Sequence, residues 1–207
     1  AVGDVNLDGR EDLFVGGAAG QAGKLLIQTG KGFRTLRLQA FEEDRAFEDV
    51  DAVFLDIDGD GDLDLYVVSG GNVFEAGSSY YADRIYENNG QGVLLRKPEA
   101  LSPFFESGSV VRPFDYDRDG DLDLFVGGRH LPWQYPMPTS SGLLENRNGK
   151  YVDVTAERAP ALIETGMVTD AAWSDHDLDG RVDLILVGEW MPVTILKQEE
   201  GAILEKL

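Results

Sequence analysis

Seventeen aspartates of this 207-residue chain fall in four nine-residue stretches. Asp4 opens DVNLDGRED, Asp56 opens DIDGDGDLD, Asp115 opens DYDRDGDLD and Asp175 opens DHDLDGRVD. Each obeys D-x-[DN]-x-D-G-x-x-D, with Gly9, Gly61, Gly120 or Gly180 in sixth place. In the second and third copies carboxylates occupy every second position. Two unit charges about 5 Å apart repel by roughly 3 kcal/mol at an effective dielectric of about 20, so such a turn closes only around positive charge. A merely solvated acidic turn accounts for one copy, but not for four matching ones. The chemistry on offer is ligation of a hard cation by oxygen.

Positions 1, 3, 5 and 9 supply side-chain oxygens, and position 7 supplies its backbone carbonyl. The candidate ligands are therefore Asp4, Asn6, Asp8, Arg10 and Asp12; Asp56, Asp58, Asp60, Asp62 and Asp64; Asp115, Asp117, Asp119, Asp121 and Asp123; and Asp175, Asp177, Asp179, Arg181 and Asp183. Arg10 and Arg181 serve through their carbonyls, with their guanidinium groups expected in solvent. Four side chains and a carbonyl suit Ca²⁺, which accepts six to eight oxygens in a tolerant geometry, better than the strict octahedron of Mg²⁺. Up to four calcium ions are expected, one per loop. The first loop has three aspartates, Asn6 and a short leading segment, and is expected to bind weakest. The glycine in sixth place fits a turn with φ > 0. His176, at position 2 of its loop, is expected to point away from the ion.

An EF-hand loop would need a bidentate Glu at position 12 and a helix on either side. Position 12 here is Val15, Val67, Val126 or Leu186, in runs that read as strands: LDLYVVSGG, LDLFVGG and VDLILVGEW. The stretches VDAVFLD, SGSVVRPFD and MVTDAAWSD lead into the last three loops, so each loop joins two antiparallel strands. RIYENNGQGVLLR and GLLENRNGKYVDV carry Asn-Gly, a strong hairpin signal. The loop starts lie 52, 59 and 60 residues apart, and four strands per unit of that length is the pattern of a β-propeller blade. The expected fold is all-β, with blades of four antiparallel strands: a truncated blade over 1–45, then blades over 46–100, 101–160 and 161–207. About four blades suggest part of a larger, seven-blade type of propeller, with a self-closed four-blade ring as the alternative. An incomplete ring would expose blade edges and invite self-association.

These residues resemble the FG-GAP or VCBS-type repeats of integrin-alpha-like β-propellers, whose D-x-D-x-D-G-x-x-D hairpins bind calcium. The segments FVGGRHLPWQYP (125–136), YVDVTAERAP (151–160), GMVTDAAWSDHDLDG (166–180) and VGEWMPV (187–193) are similar to bacterial repeat proteins of the ASPIC/UnbV and cartilage-acidic-protein group. The resemblance covers essentially the whole chain and implies a secreted or cell-surface binding propeller. Asn6 in place of Asp, and the short start of the first repeat, are its departures.

The formal charge of −20, with no basic patch, argues against nucleic acid or an anionic membrane as partner. No apolar run approaches the roughly 20 residues that span a bilayer, and with no cysteine neither a disulfide nor a thiolate site is available. The chain begins at Ala1, almost inside the first loop, as a cut through a longer protein would. G-x-S-x-G, H-E-x-x-H and a phosphate-binding glycine loop are absent, and ligation already employs the paired carboxylates, so no catalytic residue is expected. His130, Trp133 and Tyr135 form a proline-flanked aromatic loop that either packs between blades or meets a ligand. Trp173 and Trp190 are expected in the core or at a blade interface. The function expected is calcium-dependent binding of protein or carbohydrate in adhesion at the cell surface or in the periplasm. The alternative is a non-catalytic module of a larger polysaccharide-acting enzyme.

Overall fold

The computed structural model describes residues 1–163, 165–201 and 203–207. Four antiparallel four-stranded sheets follow one another along the chain. The first contains β1 (Val2–Gly3), β2 (Asp12–Val15), β3 (Lys24–Thr29) and β4 (Gly32–Leu36), followed by the short helix α1 (Gln39–Glu43). The second contains β5 (Asp49–Leu55), β6 (Asp64–Ser69), β7 (Arg84–Glu87) and β8 (Leu95–Arg96). The third contains β9 (Gly108–Phe114), β10 (Asp123–Gly128), β11 (Gly142–Asn146) and β12 (Tyr151–Asp153), followed by α2 (Thr155–Arg158). The fourth contains β13 (Met167–Ser174), β14 (Asp183–Glu189), β15 (Thr194–Glu199) and β16 (Ile203–Lys206). Strand order in every sheet is sequential, the arrangement of a propeller blade. All four sheets are four-stranded, although β1 of the first is only two residues long.

The second strands explain the stacking. Alternation along β6 sends Leu65 and Val67 into a core shared with Phe14, Leu25 and Ile27 of the first blade. Tyr66 and Val68 enter another core with Leu124, Val126 and Leu144 of the third. Phe125 faces the other way and meets Leu184, Leu186 and Leu196 of the fourth blade. A strand buried on both faces reads as an unbroken apolar run, which is why LYVV and LFV lack polar alternation. At the blade 2–blade 3 seam Gly70 and Gly108 pair in a parallel bridge. A Cβ on Gly108 would sit 2.3 Å from Val68 Cγ1, so only glycine allows that approach.

Among the described residues none of these three cores joins the fourth blade to the first. Val2, Val15 and Phe33 are exposed on the first sheet, as are Val187 and Val193 at the fourth.

Candidate functional site

Each acidic stretch is the hairpin between the first and second strands of its blade, and all four fold alike. Position 1 receives the glycine N–H on its Oδ2: Gly9 to Asp4 at 2.7 Å, Gly61 to Asp56 at 3.0 Å, Gly120 to Asp115 at 3.2 Å and Gly180 to Asp175 at 3.0 Å. The N–H of position 5 donates to the side chain at position 3, and that of position 7 to position 5; in the second loop these are Asp60 to Asp58 at 3.2 Å and Asp62 to Asp60 at 3.0 Å. The backbone must turn inward twice to do this. Position 4 has positive φ in every loop (Leu7 58°, Gly59 80°, Arg118 65°, Leu178 62°), as does the glycine at position 6. The sequence exposes only the second of these turns, because residues with side chains hold three of the position-4 sites.

The ninth-position aspartates Asp12, Asp64, Asp123 and Asp183 are buried. Their Oδ2 atoms accept the position-2 N–H groups of Val5, Ile57, Tyr116 and His176. Their Oδ1 atoms accept the N–H groups of Gln28, Asn88, Asn146 and Gln198, on or directly after the third strand, at 2.7 to 2.9 Å. Three of those residues then reach into the preceding blade. Asn88 Nδ2 donates to Val5 O at 2.8 Å, Asn146 Nδ2 to Ile57 O at 2.8 Å, and Gln198 Nε2 to Tyr116 O. The first three hairpins are thereby each stapled to the next blade.

Carboxylate oxygens of Asp56, Asp58 and Asp64 lie within 4.8 Å of one another, as do those of Asp115, Asp117 and Asp123, and of Asp175, Asp177 and Asp179. Oxygens bound to one cation at 2.3 to 2.6 Å are separated by up to about 5 Å, so each set is close enough for one ion to be held by all three residues. Burial, with the surrounding carboxylates, raises Asp58, Asp62 and Asp117 above the usual carboxylate range, and pushes Asp64 up to about 6 and Asp123 up to about 7. Asp62 Oδ1 and Asp115 Oδ1 are buried with no hydrogen-bond partner. An all-oxygen set with orphaned carboxylate atoms fits a hard divalent cation. The first loop places the Asn6 amide where the others have a carboxylate.

Three residues depart from expectation. Arg181 does not extend into solvent: its Nη2 lies 2.6 Å from Asp179 Oδ2 and its Nε donates to Gln198 O at 2.8 Å. His176 turns toward its own loop, with Nδ1 on Asp183 Oδ2. Its counterparts Val5, Ile57 and Tyr116 are buried in blade-to-blade cores, whereas among the described residues His176 joins none of those cores. Trp173 stacks on Phe114 at the blade 3–blade 4 seam, but Trp190 is 83% exposed.

The opposite ends of the strands carry a second constellation. Trp133 and Tyr135, 60% and 58% exposed, lie on the β10–β11 connection, and Trp190 lies on the β14–β15 connection. Trp190 Nε1 donates to Tyr135 Oη at 3.0 Å, and Tyr135 Oη to Glu189, which also pairs with Arg129. Trp133 Nε1 reaches back to Asn72 O of the second blade at 3.0 Å, and its N–H to Asn72 Oδ1 at 2.6 Å. Beside these rings a cleft of about 340 Å³ is lined by Glu48, Ser109, Arg129, His130 and Thr169, among others. His130 Nδ1 is buried there without a partner, and burial, reinforced by Arg129, lowers the imidazole's pKa.

The FG-GAP-like repeat model matches residues 4–67 and 56–126, more than half of the chain, and its matches begin at the first and second acidic hairpins. The chain belongs to the FG-GAP-like repeat family. Its fourth hairpin lies outside the matched residues. No curated protein matches the chain. Among solved structures, an Agrocybe aegerita lectin described as specifically recognising non-reducing terminal N-acetylglucosamine superposes with a TM-score of 0.58 at 16% identity. The match covers 99% of this FG-GAP repeat chain and 50% of the lectin chain, so the present chain spans half that lectin's length. At that identity the likeness shows the fold alone, a β-propeller type.

Proposed function

We propose that this FG-GAP repeat chain is a calcium-dependent carbohydrate-binding module acting at an extracellular surface or in the periplasm, without catalytic turnover. The observation that carries the reading is the aromatic array of Trp133, Tyr135 and Trp190. Large rings at a surface are normally packed away, yet these three are exposed and their polar tips are tied to blades 2, 3 and 4. Flat, oriented rings beside a polar cleft suit the C–H faces and hydroxyls of a neutral sugar, and the acidity of the chain disfavours an anionic one. The N-acetylglucosamine recognised by the similar lectin lends support. The hairpins at the far end supply rigidity: calcium bound there at a hundredfold excess over Kd adds about 2.7 kcal/mol per site, or roughly 5–11 °C in Tm for a domain of this size.

Screening the calcium-loaded chain on glycan and protein arrays tests this, with Trp133→Ala, Tyr135→Ala and Trp190→Ala as variants. The expected result is binding to neutral glycans, weakened at least about tenfold (about 1.4 kcal/mol) in each Trp variant, with a Tm lowered by EDTA. Glycan binding unchanged in all three variants refutes the aromatic surface, a protein-only ligand refutes the carbohydrate assignment, and hydrolysis of a bound glycan refutes the absence of turnover.

A further inference from the structure

We propose that Lys197 is a built-in countercation that keeps the fourth hairpin closed without a metal ion, while the second and third hairpins require calcium. The inference rests on reading the hairpins as calcium sites and sorts them by one residue each. The residues on or directly after the third strand that donate to the ninth-position aspartates are Gln28, Asn88, Asn146 and Gln198, so they are equivalent. The residue before each is Ile27, Glu87, Glu145 or Lys197.

In the fourth blade the Lys197 ammonium bonds Asp177 Oδ2 and lies 3.2 Å from Asp179 Oδ2. Asp177 and Asp179 are two of the three residues whose oxygens form that loop's candidate ligand set. Arg181 adds a second cation on Asp179 at 2.6 Å, and His176 occupies Asp183. The Arg181 N–H, opposed by burial and reinforced by Lys197, holds the Asp179 carboxyl below its usual range.

The second and third blades are the reverse. Glu87 and Glu145 stand where Lys197 stands, and both act to raise the loop carboxyls beside them. Nearby cations are engaged elsewhere: Lys97 lies 2.8 Å from Glu87, Arg147 lies 2.7 Å from Glu145, and Arg118 of the third loop itself donates to Gly180 O of the fourth. Among the described residues no Lys or Arg pairs with the aspartates of either loop. The first loop is intermediate, with neutral Ile27 and Arg10 only at 3.9 Å from Asp8. An ammonium tethered to the third strand of the same blade competes at a high effective concentration, so an incoming cation must expel it before it can ligate.

Calcium titration calorimetry on the chelator-stripped full chain tests this. Asp177→Ala should leave the number of bound ions as in the unmodified chain, whereas Asp58→Ala should lose one. Lys197→Glu should gain one ion per chain, and Lys197→Glu combined with Asp177→Ala should lose it again. A bound ion lost on Asp177→Ala alone overturns the proposal. So does a Lys197→Glu chain that is folded in calcium by circular dichroism yet gains no ion; if that variant does not fold, Asp177→Ala decides, because it leaves Lys197 intact. An unmodified chain that binds no calcium at all overturns the calcium reading itself, and the inference with it.

Discussion

Replacing Asn146 by alanine removes one staple between the second and third blades, and the structure sets its size. Asn146 is 1% exposed; its amide nitrogen donates to Ile57 O at 2.8 Å and its Oδ1 accepts Gly149 N–H at 2.9 Å. Its backbone N–H, bonded to Asp123, survives the substitution. Ile57 is 4% exposed, so its carbonyl is left without water, at about 1–3 kcal/mol; the turn bond at half-buried Gly149 adds about 0.5–1.5 kcal/mol. The expected loss is about 2–4 kcal/mol, or roughly 4–16 °C in Tm for a domain of this size. Gln28 is the built-in control: it holds the equivalent position in the first blade, where its backbone N–H bonds Asp12, and among the described residues its side chain bonds no other blade. Gln28→Ala should therefore stay within about 0.5 kcal/mol of the unmodified chain. Urea unfolding of both variants in millimolar calcium, compared at a common slope, gives the answer. If the two cost the same, the stabilisation comes from the strand itself and the staple between blades is not what locks neighbouring hairpins together.

Two further outcomes follow from residues away from the hairpins. Asp83 is buried, accepts the Tyr66 hydroxyl and the Ser69 N–H, and is pushed by burial up to about 7. A carboxyl raised in the folded state stabilises fully below its unfolded pKa and loses that contribution as pH rises through the folded one. Unfolding free energies of the unmodified chain and Asp83→Asn should therefore diverge between about pH 4 and 7, with the unmodified chain losing ground; a pH-independent difference refutes this. Val2, Val15 and Phe33 at one end and Val187 and Val193 at the other should drive concentration-dependent association, seen by light scattering and reduced by Phe33→Glu; a monomer at all concentrations contradicts it.

What the sequence determined was whatever repeats. Four copies of D-x-[DN]-x-D-G-x-x-D at near-equal spacing expose the hairpins, the blade period and the family, because a loop that encloses charge tolerates few residue types at each position. The doubly buried second strands are legible for the same reason, since apolar residues on both faces leave no alternation. Tertiary structure alone decided what depends on a neighbour. Lys197, Glu87 and Glu145 stand 18 to 28 residues beyond the nearest loop residue they influence and look like ordinary surface charges until β15, β7 and β11 are laid beside the hairpins. His176 and Tyr116 share position 2, yet one turns to its aspartate and the other into a core, because among the described residues a following blade packs over Tyr116 and not over His176. Trp173 and Trp190 are alike in a sequence and opposite in place, one stacked in a seam and one in solvent. Local pattern carries the residue types a loop requires; which residues are covered, and by which charge, is set by the blade that comes next.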